Sequence, residues 1–148
     1  YNLKKLFTAS IVYAERAVKI APQFATAYFN LAEAYSGLNK IKTAITYYEK
    51  GLRLEPKNAN AIYKSGELYA KAKQYKKASE CFLKVAEFQP RKIDTYNYLA
   101  LCYLNLGDYE NAKLSIEKGL KIEPQNEALK NNYKNIIYQM EKGGKNVE

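Results

Sequence analysis

The chain should fold as an all-α solenoid, in which antiparallel pairs of short helices stack one pair upon the next. Pro22, Pro56, Pro90 and Pro124 recur at a constant interval of 34 residues, and a fixed period of that size marks stacked repeats. Within each interval, apolar residues return at helical spacing twice, with a polar break between. The bulk composition agrees. At 148 residues, 47% hydrophobic and 26% charged, the chain has enough apolar material for one continuous core and is not disordered.

The elements follow in order. Residues 1–24 read as a partial, degenerate first repeat. Tyr1–Lys4 would end its leading helix and Phe7–Ile20 would form its second. Ser10 and Ala14 stand where later copies carry alanine and a larger apolar side chain. Because the pattern begins part-way through a repeat, we expect a piece of a longer protein. Residues 25–58 are the most complete copy. Tyr28, Leu31, Ala32 and Tyr35 share one face of a first helix, Asn39-Lys40 make the break, and Ala44, Ile45, Tyr48, Gly51 and Leu52 face inward from a second helix that Pro56 stops.

Residues 59–92 repeat this with Ile62, Ser65, Gly66 and Tyr69, then Ala78, Phe82, Val85 and Pro90. Ser65 replaces the leucine of Leu31 and Leu99 and should weaken that layer. Residues 93–126 give Tyr96, Leu99, Ala100 and Tyr103, a turn at Gly107-Asp108, then Ala112, Ile116, Gly119 and Pro124. Asn58 and Asn126 precede helical patterns and are expected N-caps. Residues 127–141 form a capping helix with Leu129, Tyr133, Ile136 and Ile137 on one face. Gly143-Gly144 should end it, leaving 142–148 as a flexible tail.

These residues resemble the tetratricopeptide repeat family. The 25–58 copy sets Tyr28, Leu31, Ala32, Tyr35, Ala44, Tyr48 and Pro56 against the family pattern W-x2-L-G-x2-Y…A-x3-F…P, with tyrosine or isoleucine at the tryptophan place. The resemblance covers nearly the whole chain: three complete repeats, a partial first one and a cap. It implies a right-handed superhelix whose first helices line a concave groove, and a non-catalytic role in binding a protein or peptide. Mapped by resemblance, the partner-binding residues are Phe29, Asn30, Glu33, Tyr63, Lys64, Glu67, Asn97, Tyr98 and Leu101. Phe29, Tyr63 and Tyr98 are read as large groups that core packing does not require, free to give contact area, with asparagines to pair a peptide backbone. The family's carboxylate clamp is absent, since its places hold Phe29, Glu33, Lys64, Asp94 and Tyr98. Of the family's asparagine ladder, only Asn30 and Asn132 match.

Charge and chemistry narrow the function further. The net charge is +9, mostly from lysine, with arginine only at Arg16, Arg53 and Arg91. Scarce arginine disfavours nucleic acid as a partner. Lys71, Lys73, Lys76 and Lys77, with Lys40 and Lys42, should make a solvated basic edge, and polyanion binding through that edge is the alternative. Histidine is absent, which removes the usual zinc ligand and general base. Cys81 and Cys102 read as buried hydrophobes. Glu33 and Glu67 are paired carboxylates with no nucleophile or phosphate loop beside them, so no enzyme, cofactor or metal site is expected. No apolar run reaches the ~20 residues of a membrane-spanning helix. The expectation is a non-catalytic scaffold or adaptor that binds a peptide or partner helix. Self-association, through the face of Phe7–Ile20 that lacks a partner helix, is a further alternative.

Overall fold

The computed structural model describes residues 2–145. Among the described residues there are eight α-helices and no strand: α1 (Asn2–Ile20), α2 (Ala25–Gly37), α3 (Ile41–Leu54), α4 (Ala59–Lys71), α5 (Tyr75–Phe88), α6 (Ile93–Asn105), α7 (Tyr109–Ile122) and α8 (Glu127–Lys145). This is an all-α helical repeat. Even-numbered helices take the first place in a repeat and odd-numbered ones the second. The chain divides into two compact units, Tyr1–Gln74 and Tyr75–Glu148.

In the first unit α1 packs on α2, α2 on α3 and α3 on α4. Small side chains set how closely the helices approach. The Phe29 ring lies over Gly51 and the Phe7 ring over Gly37, in space a β-carbon would take. Leu31, Ala32, Ala44 and Tyr48 fill the core between α2 and α3. Ser65, in the leucine place, is buried, and its hydroxyl donates to the Ala61 carbonyl at 2.9 Å, so no polar atom is stranded there. Two ties recur at the repeat interval. The Tyr35 hydroxyl donates to Glu15, and the Tyr69 hydroxyl to Glu49 at 2.5 Å.

The first helix corrects the expected division of residues 1–24. Asn2–Ile20 is one continuous helix, with no break before Phe7. Its opening stretch, NLKKLF, holds no glycine or proline, and lysine and leucine are good helix formers, so local propensity carries the helix through.

In the second unit α5 packs on α6, α6 on α7, and α8 on both α7 and α6. Ala100, Ala112, Ile116, Leu129 and Ile136 form its core, with Tyr103, Tyr133 and Met140 packed around them. The recurring proline has a partner here and in the first unit. Tyr96 donates its hydroxyl to the Pro90 carbonyl at 2.6 Å, and Tyr28 to that of Pro22 at 3.0 Å. A phenol at the tryptophan place thus ties each of these repeats to the turn before it.

The expected caps form. Asn58 Oδ1 accepts from the Ala61 amide at 3.0 Å, and Asn126 Oδ1 from the Leu129 amide at 3.1 Å. Asp108 caps α7 in the same way. The capping helix runs past its expected end at Glu141, through Gly143 to Lys145. Met140 packs on the core and Gly143 lies near Tyr109, so packing overrides the glycine. Residues 146–148 of the expected tail lie outside the described residues.

Candidate functional site

In the first unit a cleft of about 290 Å³ opens between α2, α3 and α4, lined by Glu33, Ser36, Tyr48, Lys64, Glu67, Leu68 and Lys71. Tyr48 is 2% exposed. Its phenol is pushed above its ordinary range by burial first, then by the Glu33 and Glu67 carboxylates. It therefore stays protonated and keeps an O–H to donate. Lys64 pairs with Glu33 across the gap between α4 and α2. A second cleft, about 450 Å³, lies between α1 and α2, where Asn30, Glu33 and Ala34 face Phe7, Ser10, Tyr13, Ala14 and Ala17.

In the second unit a narrower cleft of about 100 Å³ runs between α6 and α8. Asn97, Leu101, Leu104, Asn132 and Asn135 line it, over Ala100 and Ile136. Asn132 Nδ2 donates to Asn97 Oδ1, again joining neighbouring first helices. Leu101 stays 45% exposed. Each unit therefore has a polar bridge between adjacent first helices, an ion pair in one and an amide pair in the other.

The nine residues selected from the sequence fall into three sets. Asn30, Glu33, Lys64, Glu67, Asn97 and Leu101 line these clefts. Phe29 and Tyr98 do not stand free of the core, which corrects the sequence reading. Phe29 packs on Gly51 with its ring 6.1 Å from that of Tyr48, and Tyr98 stacks on Phe82 at 4.8 Å with the planes 7° apart. Both rings reach sideways onto a second helix because glycine or an aromatic waits there. Tyr63 is half-buried on α4.

Sequence reasoning assigned Tyr48 to the core and missed its hydroxyl in the cleft. A signal was present: the equivalent places hold Ala14, Phe82 and Ile116, all without a polar atom. Lys40, Lys42, Lys71, Lys73, Lys76 and Lys77 are all exposed, as a solvated edge requires. Cys102 is buried, whereas Cys81 is only half-buried. Among the described residues, no cluster of three or more histidine, cysteine or carboxylate side chains could hold a metal ion, and no helix is long and apolar enough to cross a membrane.

Comparison with known proteins places this geometry. The family model for anaphase-promoting complex, cyclosome, subunit 3 matches residues 37–119, more than half of the chain, and a tetratricopeptide repeat model matches residues 13–46. No curated protein gives a significant match. Among solved structures, the MamA RS-1 ArsTM double mutant superposes with a TM-score of 0.82 at 20% identity, over 95% of this chain and 86% of its own. Another MamA structure gives 0.75 at 26% identity, over 81% of this chain and 66% of its own. The first repeat domain of Spaghetti (RPAP3), solved bound to the HSP90 peptide SRMEEVD, gives 0.71 at 22% identity, over 80% of this chain and 94% of its own.

Proposed function

We propose, because the chain belongs to the tetratricopeptide repeat family, that it is a non-catalytic scaffold whose first helices take an extended peptide or a partner helix. The observation that supports this most is the pair of bridged clefts, Glu33–Lys64 and Asn97–Asn132. Both bridges join neighbouring first helices, and both sit beside groups able to meet a ligand. Tyr48 offers a phenol donor and Asn135 a side-chain amide. Leu101 adds exposed apolar surface at the centre of its cleft. Main-chain amides of a peptide suit such a lining. The Spaghetti domain holds an acidic peptide. Here an acidic segment in the cleft of the first unit would meet Glu33 and Glu67, so the expected ligand has no acidic run.

The test is a displayed peptide library, followed by calorimetric titration of the best binder. Leu101→Lys and Asn132→Ala change exposed side chains and should leave the helical spectrum intact. Each should weaken binding by about tenfold or more, the scale of an interface hot spot. Peptides that bind both variants as well as the parent chain would remove the groove from the reading.

A second reading is self-association along α1, where Leu3, Leu6 and Tyr13 are more than half exposed. Sedimentation decides it: a monomer at every concentration excludes self-association for this chain.

A further inference from the structure

Charge is divided unequally between the two units. Residues 1–74 carry 12 lysines and arginines against 5 acids, a net of +7, whereas residues 75–148 carry 12 against 10, a net of +2. The second helices account for the contrast. α5 and α7 mix their cations with Glu80, Glu87, Glu110 and Glu117, and Lys113 pairs with Glu117 at 3.8 Å. α1 and α3 hold seven cations against two carboxylates, Glu15 and Glu49. Those two accept hydrogen bonds from Tyr35 and Tyr69 on the neighbouring first helices. The two acids on α1 and α3 are thus each engaged by a tyrosine of the neighbouring helix, and the cations of these helices outnumber them.

Five exposed cations stand together at one end of the unit. Arg16 and Lys19 lie in the last two turns of α1, and Lys50 and Arg53 occupy the same places one repeat later in α3. Lys57 follows in the next turn and is also exposed. Glu55, the carboxylate in that turn, accepts from the Asn58 side chain. At the same end Phe24 is 57% exposed. It stands at the N-cap of α2 and makes no side-chain capping bond, although the equivalent places hold the polar residues Asn58, Lys92 and Asn126. A capping position has been given to an aromatic that stands more than half exposed. Local rules are broken in this way where function requires it.

We propose that this end of the first unit, where α1 and α3 finish, docks on the surface of an anionic lipid bilayer, with the cations over the headgroups and Phe24 inserted among them. The chemistry favours lipid over nucleic acid. Flexible lysines meet a diffuse layer of negative headgroups without fixed geometry, each contributing independently. A single protruding aromatic among cations matches the interfacial pattern of peripheral binders. Binding of single-stranded nucleic acid uses a series of stacking rings, and this end presents one. Duplex readout enters a groove with a helix or ribbon, and this end presents turns.

The experiment is co-sedimentation of the chain with vesicles of phosphatidylcholine alone or doped with phosphatidylserine, at low and physiological salt. Binding to the doped vesicles only is expected. Lys19→Gln with Arg53→Gln should weaken it about 30-fold, the combined effect of two cations near the surface. Lys40→Gln with Lys42→Gln removes the same charge from the opposite end of α3 and should change it less than about threefold, being outside the contact. Phe24→Ser should lower affinity and steepen its salt dependence. Equal losses from the two double variants would reduce the effect to net charge and overturn the proposal. So would absence of binding to doped vesicles, or an RNA duplex displacing the chain from them.

Discussion

Thr95 and Gly51 show how single atoms decide the packing. Thr95 is fully buried and its hydroxyl has no hydrogen-bond partner. The equivalent places hold Ala27, Ala61 and Leu129, all buried and apolar. Thr95→Val keeps the shape and removes the stranded oxygen. It should raise stability by about 1 kcal/mol, read as a higher urea midpoint at unchanged slope. A lower midpoint would mean that the hydroxyl has a partner after all. Gly51 gives the opposite sign. An alanine there would gain about 1 kcal/mol of helix propensity, but its β-carbon would fall within the Phe29 ring. Overpacking of that kind costs about 1–3 kcal/mol, so Gly51→Ala should melt lower. A neutral outcome would free Phe29 from its place on α3 and return it to the groove. The sequence showed which helix face carries Phe29 and Tyr98. It did not show how far each ring reaches, because reach depends on what the neighbouring helix leaves open.

The turns within repeats share one backbone conformation. Asn39, Lys73 and Gly107, 34 residues apart, have φ of 58°, 60° and 75°. Glycine adopts this left-handed conformation freely and asparagine tolerates it, whereas lysine is strained by about 1 kcal/mol or more. Lys73→Gly should therefore stabilise the chain by about 0.5–1 kcal/mol, less than the full strain because glycine also loosens the unfolded state. The reverse change, Gly107→Lys, should destabilise it, and both are checked by thermal melting. These turns were legible from their period alone, as were the caps Asn58 and Asn126. The element ends were harder to read. At α1 the turn place is filled by a lysine within a run of helix formers, so nothing local interrupts the helix. At α8 glycines suggest a stop, but Met140 and the contact of Gly143 with Tyr109 hold the helix on. Sequence encodes a turn through local chemistry, whereas contacts distant in sequence decide whether a helix continues.

For the whole molecule, a 34-residue period repeated with matching faces leaves few ways to pack, which is why the all-α helical repeat was legible in the sequence. The site was legible only in part. The period places Glu33, Lys64, Asn97 and Leu101 on first helices, but their pairing depends on distances between helices, which no spacing in one chain reveals. The same limit applies to titration, since burial emerges only in three dimensions. Among the described residues, burial favours the acid form of Cys102, Tyr48, Tyr35 and Tyr103. Burial pushes the Cys102 thiol from 9.0 to about 11, with Cys81 adding to it. Burial also raises the phenols of Tyr48, Tyr35 and Tyr103, with smaller contributions from the charges of Glu33 and Glu67 on Tyr48, of Tyr47 and Glu15 on Tyr35, and of Asp108 and Cys102 on Tyr103. A pKa raised by folding gives stability that is fully present below the unfolded value and lost as pH climbs through the folded one. With no histidine to titrate near neutrality, the melting midpoint should be level between about pH 6 and 8. It should then fall from about pH 9, where Cys102 alone removes roughly 2 kcal/mol by pH 11, and fall further as the tyrosines ionise. Cys102→Ala separates the two contributions by delaying the start of the decline to the tyrosine range near pH 10. An alkaline decline that begins at the same pH in that variant would assign the whole effect to the phenols and leave the thiol without influence on stability.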